Sequence, residues 1–79
     1  MRKVNEIARE IQQDWKNIPY YAQPYLNAMK HVEHMDDDFY LDNGVSVILY
    51  FLSNAGSWRG ETARRVKAEL KAMLAARKH

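Results

Sequence analysis

Residues 43–56 read NGVSVILYFLSNAG, and the fold class turns on whether the apolar run 45–52 inside them is a strand or a helix. Its valines, isoleucine, tyrosine and phenylalanine are strand formers. Asn43-Gly44, placed between two apolar runs, is a hairpin signal. On that reading 38–42 would pair with 45–50, and the fold would be α+β with a hairpin at 38–50. A two-stranded ribbon is weak by itself, however. As a helix, the run begins between Asp42 and Val45 and stops at Asn54-Ala55-Gly56, with Gly56 as a left-handed C-cap. Ile48, Phe51, Leu52 and Ala55 then share a face. The helix is preferred because the segments on either side are themselves helical, and a lone ribbon would be out of place among them.

The next stretch, NAGSWRG at 54–60, sets two glycines around a tryptophan and an arginine. A phosphate-binding loop would need several glycines and then Lys-Ser/Thr, whereas Glu61 and Thr62 come next. The stretch therefore reads as a corner between helices. Gly56 caps one helix, Ser57 caps the next, Trp58 packs inward as the first core residue, and Gly60 allows a backbone or ring to approach closely. From Ser57 onward Trp58, Thr62, Val66, Leu70 and Met73, with Ala63, Ala72 and Leu74, form an apolar stripe, and Glu61 and Arg65 form an i,i+4 pair in the favourable order.

Toward the N-terminus, Val4, Ile7, Ala8, Ile11 and Trp15 recur at spacings of three and four, predicting an amphipathic helix from Arg2 or Lys3 to Lys16. Asn17 is placed to cap the second helical segment. That segment, PYYAQPYLNAMKHVEHM (19–35), puts Tyr21, Tyr25, Ala28 or Met29, Val32 and Met35 on one face. Pro24 would break a helix interior. The choices are a turn over 19–23 with a helix starting at Pro24, or one kinked helix, ending in either case near His34, where three aspartates oppose the helix dipole. The whole, residues 1–79, reads as a single all-α domain of four short helices.

A chain of 79 residues buries only about 60–65% of its unfolded surface, so such domains commonly draw on disulfides, metals or oligomerisation. There is no cysteine, which removes disulfides and thiolate metal sites and fits a reducing compartment. A composition 47% hydrophobic and 28% charged belongs to a folded chain. Charges interrupt MRKVNEIAREIQQDW too often for a signal-peptide core, and the longest apolar run is far short of the roughly 20 residues that span a bilayer. A cytoplasmic protein without membrane contact is expected. From Ser57 onward seven Lys/Arg stand against Glu61 and Glu69, net +5, while the first 56 residues carry −3. Such asymmetry marks either a basic binding face or two halves that attract each other.

Few residues suggest catalysis or ligation. His31 and His34 lie one helical turn apart, with Glu33 between them and Asp36, Asp37 and Asp38 just after, and can ligate zinc or nickel with a carboxylate as third ligand. The order H-V-E-H fits no metalloprotease motif, and a solvated helix end explains it as well. Calcium loops started at Asp36 or Asp38 fail at the required glycine and at the final glutamate. Ser46, Ser53 and Ser57 have no nucleophile elbow around them. So small a domain has little room for a closed pocket. No enzyme activity, cofactor, metal or small-molecule substrate is expected.

Binding is the remaining class. Tyr20, Tyr21, Tyr25, Phe39 and Tyr40 are more aromatic surface than a small core hides, and tyrosine is enriched at interface cores. They are the candidate contact residues for a protein partner or for a homodimer. The alternative is nucleic-acid binding by the basic face of the last helix, through Arg59, Arg64, Arg65, Lys67 and Lys71. Against a helix-turn-helix assignment, the first turn of that helix carries Gly60 and Glu61 where base contacts would be made. Trp58, Gly56 and Gly60 are read as structural.

The run FLSNAGSWRGETARRVKAEL (51–70), within a match over about 45–74, resembles the C-terminal half of small bacteriophage and prophage proteins that share F-L-x-N-A/S-x-x-W-R-G-E followed by A-R-x-V-K-x-E-L. The resemblance implies a helical 45–55 and a phage or prophage accessory protein in a bacterial cytoplasm. It implies no catalytic residue.

Overall fold

The computed structural model of the protein describes residues 2–34, 38–39 and 42–76. Four helices share one hydrophobic cluster, so the domain is all-α: α1 (Val4–Asp14), α2 (Gln23–Met29), α3 (Gly44–Ser53) and α4 (Glu61–Ala76). Between α2 and α3 lie two strands of two residues each, β1 (Asp38–Phe39) and β2 (Asp42–Asn43), antiparallel with Asp38 opposite Asn43 and Phe39 opposite Asp42. They turn the chain and build no layer.

The 45–52 run is helical, as preferred, and the longer hairpin does not form. Asn43-Gly44 is no hairpin tip: Asn43 belongs to β2 and Gly44 is the buried first residue of α3. The physical reason is tertiary. Val47, Ile48 and Phe51 at helical spacing point into a core that the flanking helices already line. An alternating strand would expose half of that apolar surface.

α1 follows its stripe closely, burying Val4, Ile7, Ala8 and Ile11. It ends at Asp14, two residues earlier than expected, because Trp15 turns extended (φ −89°, ψ 97°) to place its ring in the core, 6% exposed. At its start the Lys3 amide donates to Glu6 Oε1 at 2.9 Å, and the Val4 amide donates to the Glu33 carbonyl oxygen at 2.9 Å. Both contacts satisfy donors that a helix N-terminus leaves open.

α2 takes the first of its two alternatives. The chain turns over 20–22, with the Ala22 and Gln23 amides donating to the Pro19 carbonyl oxygen at 3.0 and 3.2 Å, and Pro24 stands in the first turn. There it removes no intrahelical bond. Asn17 therefore caps no helix. The expected face holds at Ala28, Met29 and Val32, which are buried, but not at its start: Ala22 and Leu26 are buried there, whereas Tyr21 is exposed and Tyr25 half-buried; Met35 lies outside the described residues. α2 also stops at Met29, well before His34. The His31 and Val32 amides close onto Ala28 and Met29 in tight turns at 3.0 and 3.2 Å, which brings the Glu33 carbonyl to Val4.

α2 packs against α1 and α3, and α4 packs against α1 and α3. Where α1 and the 54–60 corner meet, three aromatic rings fill the core. Trp15 stacks on Trp58 with centroids 5.7 Å apart and planes at 15°, and Phe51 presents an edge to both, at 6.2 and 6.5 Å.

Candidate functional site

The 54–60 corner is built differently from its sequence expectation. Gly56 is not in a left-handed conformation, and Gly60, at φ +115°, is. The end of α3 is closed by its own polar side chains: Ser53 Oγ donates to the Leu49 carbonyl oxygen at 3.0 Å, and Asn54 Nδ2 to that of Tyr50 at 2.8 Å. Ser57 does not cap α4 either. The helix begins at Glu61, and the Gly60 carbonyl oxygen accepts the Arg64 amide at 3.0 Å, which makes Gly60 the capping residue. A Cβ on Gly60 would meet nothing within 4 Å, so the glycine serves its backbone conformation and not a close approach.

Trp58 does pack inward, at 2% exposure, and its indole Nε1 donates to Asp14 Oδ2 at 2.8 Å. Lys67 reaches back from α4 and donates through Nζ to the carbonyl oxygens of Ala55 and Trp58, each at 2.7 Å. The Ala55 carbonyl oxygen also accepts the Trp58 amide at 3.1 Å, whereas the Trp58 carbonyl oxygen, between α3 and α4, has Lys67 as its donor. Burial pushes the Lys67 pKa down from its usual range, and the nearby charges of Lys71 and Arg59 push it the same way.

α4 divides its charges between two flanks. At about 100° per residue, Arg65 and Glu69 lie on the α1 side. Arg2 binds Glu69 through two contacts, Nε to Oε2 at 3.0 Å and Nη2 to Oε1 at 2.5 Å. It also pairs with Glu10, Nη1 to Oε1 at 2.6 Å, although Oε1 is off the line of a good hydrogen bond. Arg65 pairs with the other oxygen of Glu10, and so does not take Glu61, the partner expected from sequence. The Arg2 contact, and then that of Arg65, holds the Glu10 carboxyl below its ordinary value; Arg2 does the same for Glu69. The opposite flank carries Arg64, Lys67 and Lys71 within an arc of about 60°. Both acids of the helix, Glu61 and Glu69, lie outside that arc.

Arg59 adjoins this second flank and also lines an open cleft of about 420 Å³ with Asp14, Trp15, Lys16, Asn17, Ser57 and Trp58. Of the five basic residues nominated from sequence, Arg59, Arg64 and Lys71 are exposed on one side, Lys67 is engaged with the corner carbonyls, and Arg65 is paired to α1. Lys16, which was not among the candidates from sequence, joins Arg59 at the cleft.

The aromatic candidates fall into two groups. Tyr20 is 83% exposed and Tyr21 47%, their rings edge to face at 5.6 Å. Tyr25 leans on Tyr50 of α3 at 5.5 Å, and Tyr50 and Leu49 are each half exposed. Tyr50 and Leu49 were missed in the sequence. Their signal was the helical period of 45–52 itself, because once Val47, Ile48 and Phe51 point inward these two must point outward. Tyr40 and the side chain of Phe39 lie outside the described residues.

His31 and His34 are both exposed. Among the described residues no three histidine or acidic side chains converge on a metal position. Asp36 and Asp37, two of the suggested third ligands, lie outside them. Among the described residues no helix is long and apolar enough to cross a membrane. No protein-family model matches the chain, and neither a curated protein nor a solved structure is found similar to it.

Proposed function

We propose that this protein works by binding and not by catalysis, as a small accessory factor of the phage or prophage kind its C-terminal half resembles. It associates through Tyr20, Tyr21, Tyr25, Leu49 and Tyr50 with a protein surface, that of a second copy of itself being the simplest. One observation carries the reading: Tyr25 and Tyr50 touch at 5.5 Å and so join aromatic surface from the α2 region to that of α3. Tyr20, Tyr21, Leu49 and Tyr50, the large apolar side chains left exposed among the described residues, all belong to these two segments. Tyrosine supplies contact area at low entropic cost, and a patch of this kind on a small domain marks an interaction face. Self-association would also relieve the limited burial available to 79 residues.

Sedimentation velocity across a micromolar to millimolar range tests this. A concentration-dependent dimer that Tyr50→Arg dissolves, with helical circular dichroism unchanged, supports it. A strict monomer removes self-association. The remaining hetero-partner form then stands only if a protein captured from the host by the wild type is lost with Tyr50→Arg and Tyr21→Ala.

A further inference from the structure

The flank of α4 with Arg64, Lys67 and Lys71 carries none of the exposed tyrosines and needs its own account. Burial first, and then the nearby charges of Lys71 and Arg59, lower the affinity of Lys67 for its proton, so these cations are close together. On the other side of the same helix every basic group is matched: Arg65 to Glu10, and Arg2 to Glu10 and Glu69. The fold thus pairs the cations of one flank, while among the described residues no ion pair holds Arg59, Arg64 or Lys71 on the other. One carboxylate, Asp14, lies at the adjoining cleft and accepts the Trp58 indole. We propose that the second flank, Arg64 and Lys71 on α4 with Arg59 and Lys16 at the adjoining cleft, binds the phosphate backbone of a nucleic acid.

The character of the flank selects that partner over an acidic protein. A protein interface needs apolar anchors at its centre and is depleted in lysine. The exposed large apolar side chains of the described residues, at 20–21 and 49–50, belong to other elements than α4. A surface of cations without anchors suits phosphate contact, where the driving force is release of condensed counterions. Arg64 and Lys71 are seven residues apart, about 10 Å along the helix axis. That matches about three steps of 3.4 Å along one strand. Guanidinium groups at Arg59 and Arg64 can each grip a phosphate through two hydrogen bonds. Trp15 and Trp58 are too buried to stack on bases, so binding is largely independent of sequence.

The test is fluorescence anisotropy with a labelled 20-base-pair DNA duplex and a labelled 20-nucleotide single-stranded RNA, titrated between 50 and 200 mM salt. Four phosphate contacts predict about a hundredfold loss of affinity over that range for whichever probe binds. Arg64→Ala/Lys71→Ala should weaken binding at least about tenfold at 50 mM and make the log–log salt slope shallower by about 2. Arg9→Ala/Lys30→Ala, which removes two charges from α1 and the end of α2, should leave both nearly unchanged. Absence of binding at 50 mM salt, a flat salt dependence, or an equal loss in the control variant overturns the proposal. Equally tight binding of poly-glutamate at matched charge overturns it too, in favour of an acidic protein.

Discussion

Lys67 holds Trp58 in two ways: its Nζ donates to the Trp58 carbonyl oxygen at 2.7 Å and sits 5.8 Å from the centre of the Trp58 ring. The same amine reaches Ala55, so a single side chain ties the end of α3 and the approach to α4 to the body of α4. Lys67→Met keeps much of the aliphatic stem but removes the charged donor. It should destabilise the domain by about 1–3 kcal/mol, because the Trp58 carbonyl oxygen loses its donor while that of Ala55 keeps the Trp58 amide. Urea unfolding followed by circular dichroism reads this, with an unchanged m-value. A midpoint equal to wild type would mean that water serves the two carbonyls equally well.

The two glycines of the corner should respond differently. Gly60→Ala forces an L-residue to φ +115° and should cost about 1–3 kcal/mol despite the open space around it. Gly56→Ala meets no atom within 4 Å and no left-handed backbone, so it should stay within about 0.5 kcal/mol of wild type. Thermal or urea midpoints of the pair decide the matter, and a larger loss at Gly56 would contradict a corner whose left-handed turn lies at Gly60.

Trp58→Ala should cost about 3–5 kcal/mol, enough to unfold so small a domain. Trp58→Phe retains an aromatic ring but loses the indole donor to Asp14, and should cost less. Asp14→Ala should cost about 1–2 kcal/mol through the same bond. With two tryptophans in the chain, both stacked in the core, an exciton signal in circular dichroism should accompany folding and vanish in Trp58→Phe. A folded, stable Trp58→Ala protein would show that the ring is not a core element.

Acid should weaken the clamp between α1 and α4. Arg2 and Arg65 hold Glu10 below the ordinary carboxylate value of 4.5, and Arg2 holds Glu69 below it. A folded-state pKa below the unfolded one means that the stabilisation is present above about pH 4.5 and is lost as the pH falls through the folded values. Urea midpoints measured from pH 7 to pH 3 should therefore decline below about pH 4.5. In Arg2→Ala the decline should be shallower, because that variant has less stabilisation to lose. A wild type and variant with parallel pH profiles would sink this account.

Much of the architecture was legible because local rules and the final packing agree. The α1 stripe, the α4 stripe and the inward position of Trp58 follow from helical period alone. Pro24 restricted its segment to a first-turn position or a kink, and α2 takes the first-turn position. In 45–52, β-prone residues yielded to their neighbours: the core they enter is built by helices, and burial outweighs a propensity difference of at most about 1 kcal/mol across the scale.

Other features depended on partners distant in sequence. The early end of α2 brings Glu33 to Val4, and no periodicity within α2 encodes that meeting. The 19–35 face held at Ala28, Met29 and Val32 but not at Tyr21 and Tyr25, because tyrosine serves equally well inside and at the surface, and Leu26 is buried instead. Local spacing assigned Glu61 to Arg65, but the packing of α1 beside α4 brings Glu10 closer. Gly60 and Gly56 looked alike as letters, and the path of the chain into α4 gave the left-handed turn to one of them. The chain's own pattern thus determined that there are four helices, which faces of α1 and α4 are apolar, and where charge is concentrated. Which cations are neutralised, which carbonyls Lys67 reaches, and which tyrosines stay in water were decided by packing. Those outcomes depend on distances between segments tens of residues apart, and a linear pattern does not carry such distances.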